Sequence, residues 1–250
     1  MMKKSTVYKL IAVFAALLLW QFAAMATGLD MLFASPVQVA GRLLTVWREK
    51  GFLSTIFFSV LRAFGGFISA FALGLALAVL SGRFKAVEYF LWPYVVTFRS
   101  VPVASFIILC LIWLSSKQLT VFIAFLIAFP VIYGNVLEGI KSTDPGMKEM
   151  AALFKVPWRR RFLYIYLPSI KPYLISACSV AAGMAWKAGV AAEIIGVVKG
   201  SIGEKLYEAK IYLQSADLFA WTIIIILLSV IMEKAFLFLL KRAFAGVERL

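Results

Sequence analysis

Histidine is absent from the 250 residues, and cysteine occurs only twice, at Cys110 and Cys178, each inside an apolar run. The first absence excludes histidine-based triads, H-E-x-x-H sites and the commonest metal ligand. The second leaves no disulfide framework and no cysteine metal cluster. No G-x-x-x-x-G-K-[ST] stretch occurs, so this chain binds no nucleotide through a P-loop. Charge is scarce as well: Asp, Glu, Lys and Arg make up 15% of the residues while 63% are hydrophobic, and mean hydropathy is +0.95. A soluble domain is about half apolar and a quarter charged, so this composition is that of an integral membrane protein. The net charge of +14 would suggest nucleic acid in a soluble chain. In a membrane protein it reads as loop charge that sets topology, with no nucleic-acid partner implied.

What is present is a series of apolar blocks. Leu10 to Ala26 is long enough to cross a bilayer. It ends in Ala24-Met25-Ala26, which has the look of a signal-peptidase site; a retained first span is the expectation. Residues 27–54 mix charges with an amphipathic stretch through Val37, Leu43, Leu44 and Trp47, as expected of a helix lying at the external interface. A second span covers Thr55 to Leu80, with Gly66, Ala70 and Gly74 forming a small-residue face of the kind that lets helices approach closely. That face and a similar one on span five suggest close packing between two copies of the chain. The third block, Val87 to Leu114, contains Pro93 and Arg99-Ser100-Val101-Pro102 and should be broken or kinked. The fourth, Leu119 to Leu137, should kink at Pro130. The fifth, Pro172 to Ile195, is rich in small residues, and the sixth runs from Leu218 to Leu240. With both termini inside, sixteen of the 26 Lys and Arg residues lie on the inner side, seven outside and three within spans, in agreement with the positive-inside rule.

The longest polar insertion, Lys141 to Lys171, has its own order. Asp144 can cap a helix with Pro145 at its first position. Met147, Met150, Ala151 and Phe154 then form one apolar stripe. Pro157 breaks that helix and opens a second, Trp158 to Tyr166, which Leu167-Pro168 should end. The expected product is a helix-turn-helix knob.

Glu149-Met150-Ala151, Lys155 and Ile165-Tyr166-Leu167-Pro168 resemble, in spacing, the E-A-A…G…I-x-L-P motif of ATP-binding-cassette importer permeases. Met150 replaces the second-place Ala, and Lys155 stands where that family has a turn glycine. The broken third block, Gly183-Met184-Ala185-Trp186, and Ala192-Glu193 followed by Gly200-Ser201-Ile202-Gly203 are similar to the subgroup handling sulfonates, taurine and nitrate; Ser201 replaces a more usual Leu. The resemblance implies an all-α, six-span permease of type I importer architecture in a bacterial inner membrane, with both termini cytoplasmic. It divides the chain into a first span with an external segment (1–54) and a core permease (55–240) containing the coupling loop (141–171).

It further implies two ATP-binding subunits that carry the ATP and Mg, a second permease copy, a solute-binding protein outside, and no cofactor in this chain. Met147, Glu149, Met150, Ala151, Phe154, Lys155, Leu167 and Pro168 are the expected contacts to the ATPase. Charged groups within a span cost about 3 kcal/mol on insertion scales and mark a cavity or a pair. Arg62, Arg99, Lys187 and Glu193 are therefore singled out. Arg62 can alternatively reach the outer interface, and Lys187 and Glu193 can simply pair. Arg99, Ser100, Trp186, Lys187 and Glu193 are the candidate solute path, for a small anion, with Arg99 the preferred contact because the break at Ser100 to Pro102 can open backbone groups toward a cavity. Arg99 can alternatively hold the broken helix's free carbonyls, and a neutral ring compound stacking on Trp186 is the alternative solute. A membrane-embedded enzyme or an anchor protein would be other classes; no catalytic constellation is visible in the spans.

Overall fold

The computed structural model describes residues 4–28 and 31–247, and these form helices joined by short turns. In chain order the elements are α1 (Lys4–Thr27), α2 (Pro36–Val46), α3 (Phe52–Arg83), α4 (Lys85–Ser100), α5 (Val103–Cys110), α6 (Ser116–Lys141), α7 (Pro145–Leu153), α8 (Trp158–Arg161), a π-helical turn (Phe162–Tyr166), α9 (Leu167–Ile195), α10 (Ile202–Ile211) and α11 (Ser215–Val247). Five helices are long and apolar enough to cross a membrane; α4 and α5 together form a sixth candidate, bent by 106°.

The bend lies at Val101-Pro102 and not at Pro93, through which α4 continues. A residue before proline is driven to extended backbone, and Val101 has φ −75° and ψ 130°. This bent pair crosses the layer. Added Cβ atoms on Gly66, Gly74 and Gly82 would meet Ala124, Ile132 and Ile140 in turn, so α3 and α6 run parallel and the chain between them must return to its starting side. Gly139 lies against Ile170, Trp186 bonds Ile225, and Trp20 stacks near Phe219, which makes α6/α9, α9/α11 and α1/α11 antiparallel. The far ends of α3, α6 and α11 therefore share one face with α7, α8 and the start of α1.

The core is built from α3, α6 and α9, around Phe67, Ala70, Ala128, Ile132, Cys178 and Ala181. Small residues at every fourth position from Gly66 to Gly82 let α3 approach α6 until backbones touch: a Cβ at Gly66 would overlap Val121 O and lie 2.8 Å from Ala124 Cβ. The small-residue face of span two is thus consumed within one chain, which corrects the expectation that it packs between copies. α6 is continuous through Pro130. By contrast, little of α1 is buried, and α11 buries only one side, through Trp221, Ile224, Phe236 and Phe244, as helices facing lipid or another subunit do.

On the opposite face α2 begins with a capping box, Ser35 accepting from Gln38 N and Gln38 Oε1 accepting from Ser35 N. Its inward residues are Val39 and Val46, whereas Val37, Leu44 and Trp47 are exposed, so the buried stripe is rotated from the expected one. Arg42 anchors α2 through ion pairs to Glu49 and to Asp217 at the start of α11. Burial lowers the Arg42 pKa, but the two carboxylates outweigh it and hold the guanidinium above its ordinary value.

Candidate functional site

The knob is built from local signals. Asp144 Oδ1 accepts from Gly146 N at 2.8 Å, and Pro145 occupies the first turn, where its missing N–H is harmless. At the other end of α7, Lys155 N donates to Ala152 O (3.1 Å) and Val156 N to Ala151 O (3.0 Å). That pair of bonds is a Schellman motif, whose C′ residue must be left-handed. The C′ residue is Lys155, with φ +48°. The lysine that stands where a glycine is expected therefore keeps the glycine's backbone geometry.

Pro157 caps α8, and Arg161 Nη2 returns to Ala151 O at 2.9 Å, tying the two short helices together. Ala151 is fully buried by this closure, while Met147, Met150, Leu153 and Phe154 are exposed, the last two by 81% and 77%. The open apolar set is therefore Met147, Met150, Leu153 and Phe154. Ala151 belongs to the inside of the knob, not to its free stripe. Glu149 is exposed beside that set. The second helix does not stop at Leu167-Pro168 as expected. It passes through the π-helical turn, where Leu167 N reaches Phe162 O, and becomes α9. The wider turn absorbs the proline, and Leu167 packs on the core while Pro168 stays exposed.

Of the expected solute-path residues, Arg99, Ser100 and Lys187 are exposed, and Trp186 and Glu193 are buried. Lys187, exposed on α9, lines a groove of about 490 Å³ with Ser179, Gly183, Ser229 and Glu233. Ser179 Oγ donates to Glu233 on α11. Nothing lies within 4 Å of a Cβ added to Gly183. Lys187 and Glu193 do not pair. Glu193 is fully buried; its Oε2 accepts from Ser59 Oγ (2.7 Å) and from Gly203 N (3.4 Å), and its Oε1 from Thr120 Oγ1 (3.5 Å). Ser59 Oγ in turn accepts from Ile202 N at 2.9 Å. Glu193 and Ser59 thus satisfy free amides in the first turn of α10.

Trp186 is 1% exposed, and its indole N–H donates to Ile225 O at 2.9 Å. Its ring has no open face for stacking. Arg99 sits at the α4–α5 bend and donates from Nη2 to Pro130 O at 2.8 Å, over Gly134, where a Cβ would overlap the guanidinium. Ser100 bonds back to Val96 O. Arg62 lies 4.1 Å over the Phe58 ring. Glu233, with its bond to Ser179, is a feature that sequence reasoning passed over. Its signal was a carboxylate inside the last apolar run.

The family model described as "Binding-protein-dependent transport system inner membrane component" matches residues 70–245. A Bacillus subtilis protein named as an aliphatic sulfonates transport permease is 29% identical over 66% of this chain and 60% of its own length. A nitrate import permease protein of Synechocystis is 26% identical over 74% of this chain and 70% of its own. A taurine transport system permease protein of Escherichia coli is 23% identical over 86% and 80%.

Proposed function

The chain belongs to the binding-protein-dependent transport system inner membrane components, and from that premise we propose that it imports a small anion of the sulfonate, taurine or nitrate class. It is the permease subunit of an ATP-binding-cassette importer, and ATP hydrolysis occurs on a separate subunit. The observation that carries the anion reading is Lys187, a cation in a span, exposed in the α9–α11 groove with the hydroxyl of Ser229. A cation in a low-dielectric path favours an anion. Glu233, already bonded to Ser179, keeps the groove from holding that anion too tightly for release. The three relatives above are named for three substrates that carry a negative group. The neutral-ring alternative loses support because Trp186 has no exposed face.

The remaining arrangement follows in the same reading. The face carrying the α7–α8 knob is cytoplasmic, as the excess of Lys and Arg on that side supports, and both termini lie there. Met147, Glu149, Met150, Leu153 and Phe154 meet a cleft on the ATPase, and Lys155, Leu167 and Pro168 set the angle at which the knob is presented. Two ATPase subunits serve two permease copies. The copies face one another across this α9–α11 groove, whose Lys187 and Glu233 lipid tails would not solvate. A solute-binding protein delivers from the opposite face, and residues 1–54 form an added outer helix and interfacial segment around the core.

Uptake by the assembled complex in proteoliposomes tests this. Transport of an aliphatic sulfonate, taurine or nitrate that falls by about tenfold or more in Lys187→Gln, the scale of one lost charge-assisted bond, supports it. Uptake of an uncharged heterocycle that is indifferent to the substitution would sink it.

A further inference from the structure

A second cavity, of about 560 Å³, opens on the face that carries the knob, between the end of α3, Ile140 of α6, and the stretch from Trp158 to Ile170. Its wall has two parts. Val79, Leu80, Ile140, Phe162 and Ile170 are apolar, and the only charges lining it are Arg83 and Arg161. No carboxylate lies among the lining residues, and among the described residues neither arginine forms an ion pair. Arg161 uses Nη2 on Ala151 O, while its Nε–H is buried without an acceptor. The Arg83 guanidinium rests 5.5 Å over the Phe84 ring, to which it donates no hydrogen bond. The orphaned Nε–H of Arg161 costs the chain free energy on its own, and Arg83 stands exposed beside it with its charge unpaired. An acceptor-rich anion between them would remove that deficit.

We propose that this cavity binds the phosphate of an anionic phospholipid, held between Arg83 and Arg161, with the first acyl carbons against the apolar wall. Guanidinium groups match phosphate oxygens in charge and fork geometry, and basic pockets between spanning helices are a recurrent setting for acidic headgroups. The aromatic rings of Trp158 and Tyr166, 5.8 Å apart at the rim, suit the headgroup level of a bilayer. A free phosphate would satisfy the same arginines, but it would leave the apolar wall wet. Since Arg161 also donates to Ala151 O, a tie between α8 and α7, the lipid would brace the knob from behind.

The purified full-length chain, in complex with its ATPase subunits, is titrated with phosphatidylglycerol and with phosphatidylcholine of equal chain length, and retained lipid is counted by native mass spectrometry. Phosphatidylglycerol should be retained at about tenfold lower concentration. Arg83→Gln should remove most of that preference while leaving the fold intact, because among the described residues Arg83 makes no hydrogen bond or ion pair. Arg160→Gln, which does not line the cavity, should leave it intact. Inorganic phosphate is titrated as the second arm: displacement of the lipid by millimolar phosphate, lost in Arg83→Gln, would support the oxyanion site and assign it to a soluble anion. Equal retention of the two lipids, a preference unchanged in Arg83→Gln and in Arg83→Gln/Arg161→Gln, or an equal loss in Arg160→Gln, overturns the proposal.

Discussion

Gly203 lies so close to Glu193 that a Cβ on the glycine would overlap the Cβ of the glutamate and sit 2.6 Å from Ile194 N. The start of α10 is thereby pressed onto the end of α9, which is what lets a buried carboxylate serve as a cap for free amides. Gly203→Ala has no room and should cost about 1–3 kcal/mol, the range for overpacking a tight site. Glu193→Gln keeps an acceptor for Ser59 and should fold and transport, whereas Glu193→Leu strands Ser59, Thr120 and the α10 amides. Yields of folded protein by fluorescence size-exclusion chromatography rank the three; a Glu193→Leu variant equal to wild type would remove the capping role.

Lys155 is a left-handed residue without being glycine. Lys155→Gly should relieve about 1 kcal/mol of strain while leaving ATPase association unchanged, and Lys155→Ile, β-branched, should add strain and weaken that association. Thermal midpoints of the complex measure both. A lower midpoint for Lys155→Gly would show that the lysine side chain matters more than its backbone.

Phe154 and Ala151 separate two roles within the knob. Phe154→Asp changes a side chain that is 77% exposed, so the permease should fold normally and lose ATPase copurification by roughly thirtyfold in affinity, a hot-spot effect of about 2 kcal/mol. Ala151→Asp instead buries a charge beneath Arg161 and should disorder the knob itself. Proteolysis at the Lys155 to Arg161 segment reports the difference. Normal ATPase binding by Phe154→Asp would refute the docking face.

Gly66 and Gly183 carry the same contrast into the membrane. Gly66→Ala collides with Val121 O within the chain and should lower the amount of folded permease. Gly183→Ala meets open space and should leave the monomer intact, with any effect confined to transport or to assembly of two copies. Equal loss of folded protein in both variants would contradict the packing described.

Local signals were legible from the residues alone. The long apolar runs, the break before Pro102, the Asp144-Pro145 helix start and the spacing that carries the family resemblance each depend on a few neighbouring residues, and a short window contains the whole cause. The direction in which a side chain points was not legible. Glu193 and Ser59 are 134 residues apart in sequence and bonded in space; Trp186 reads equally well as path or as packing until α11 is set beside α9; Ala151 belongs to the same stripe as Met150 until Arg161 closes over it. An apolar run looks the same whether it meets lipid, core or a partner, because lipid tails and protein interiors are alike in polarity. Only the packing of α3, α6, α9 and α11 decided which charges were capped, which rings were buried, and which groove was left open.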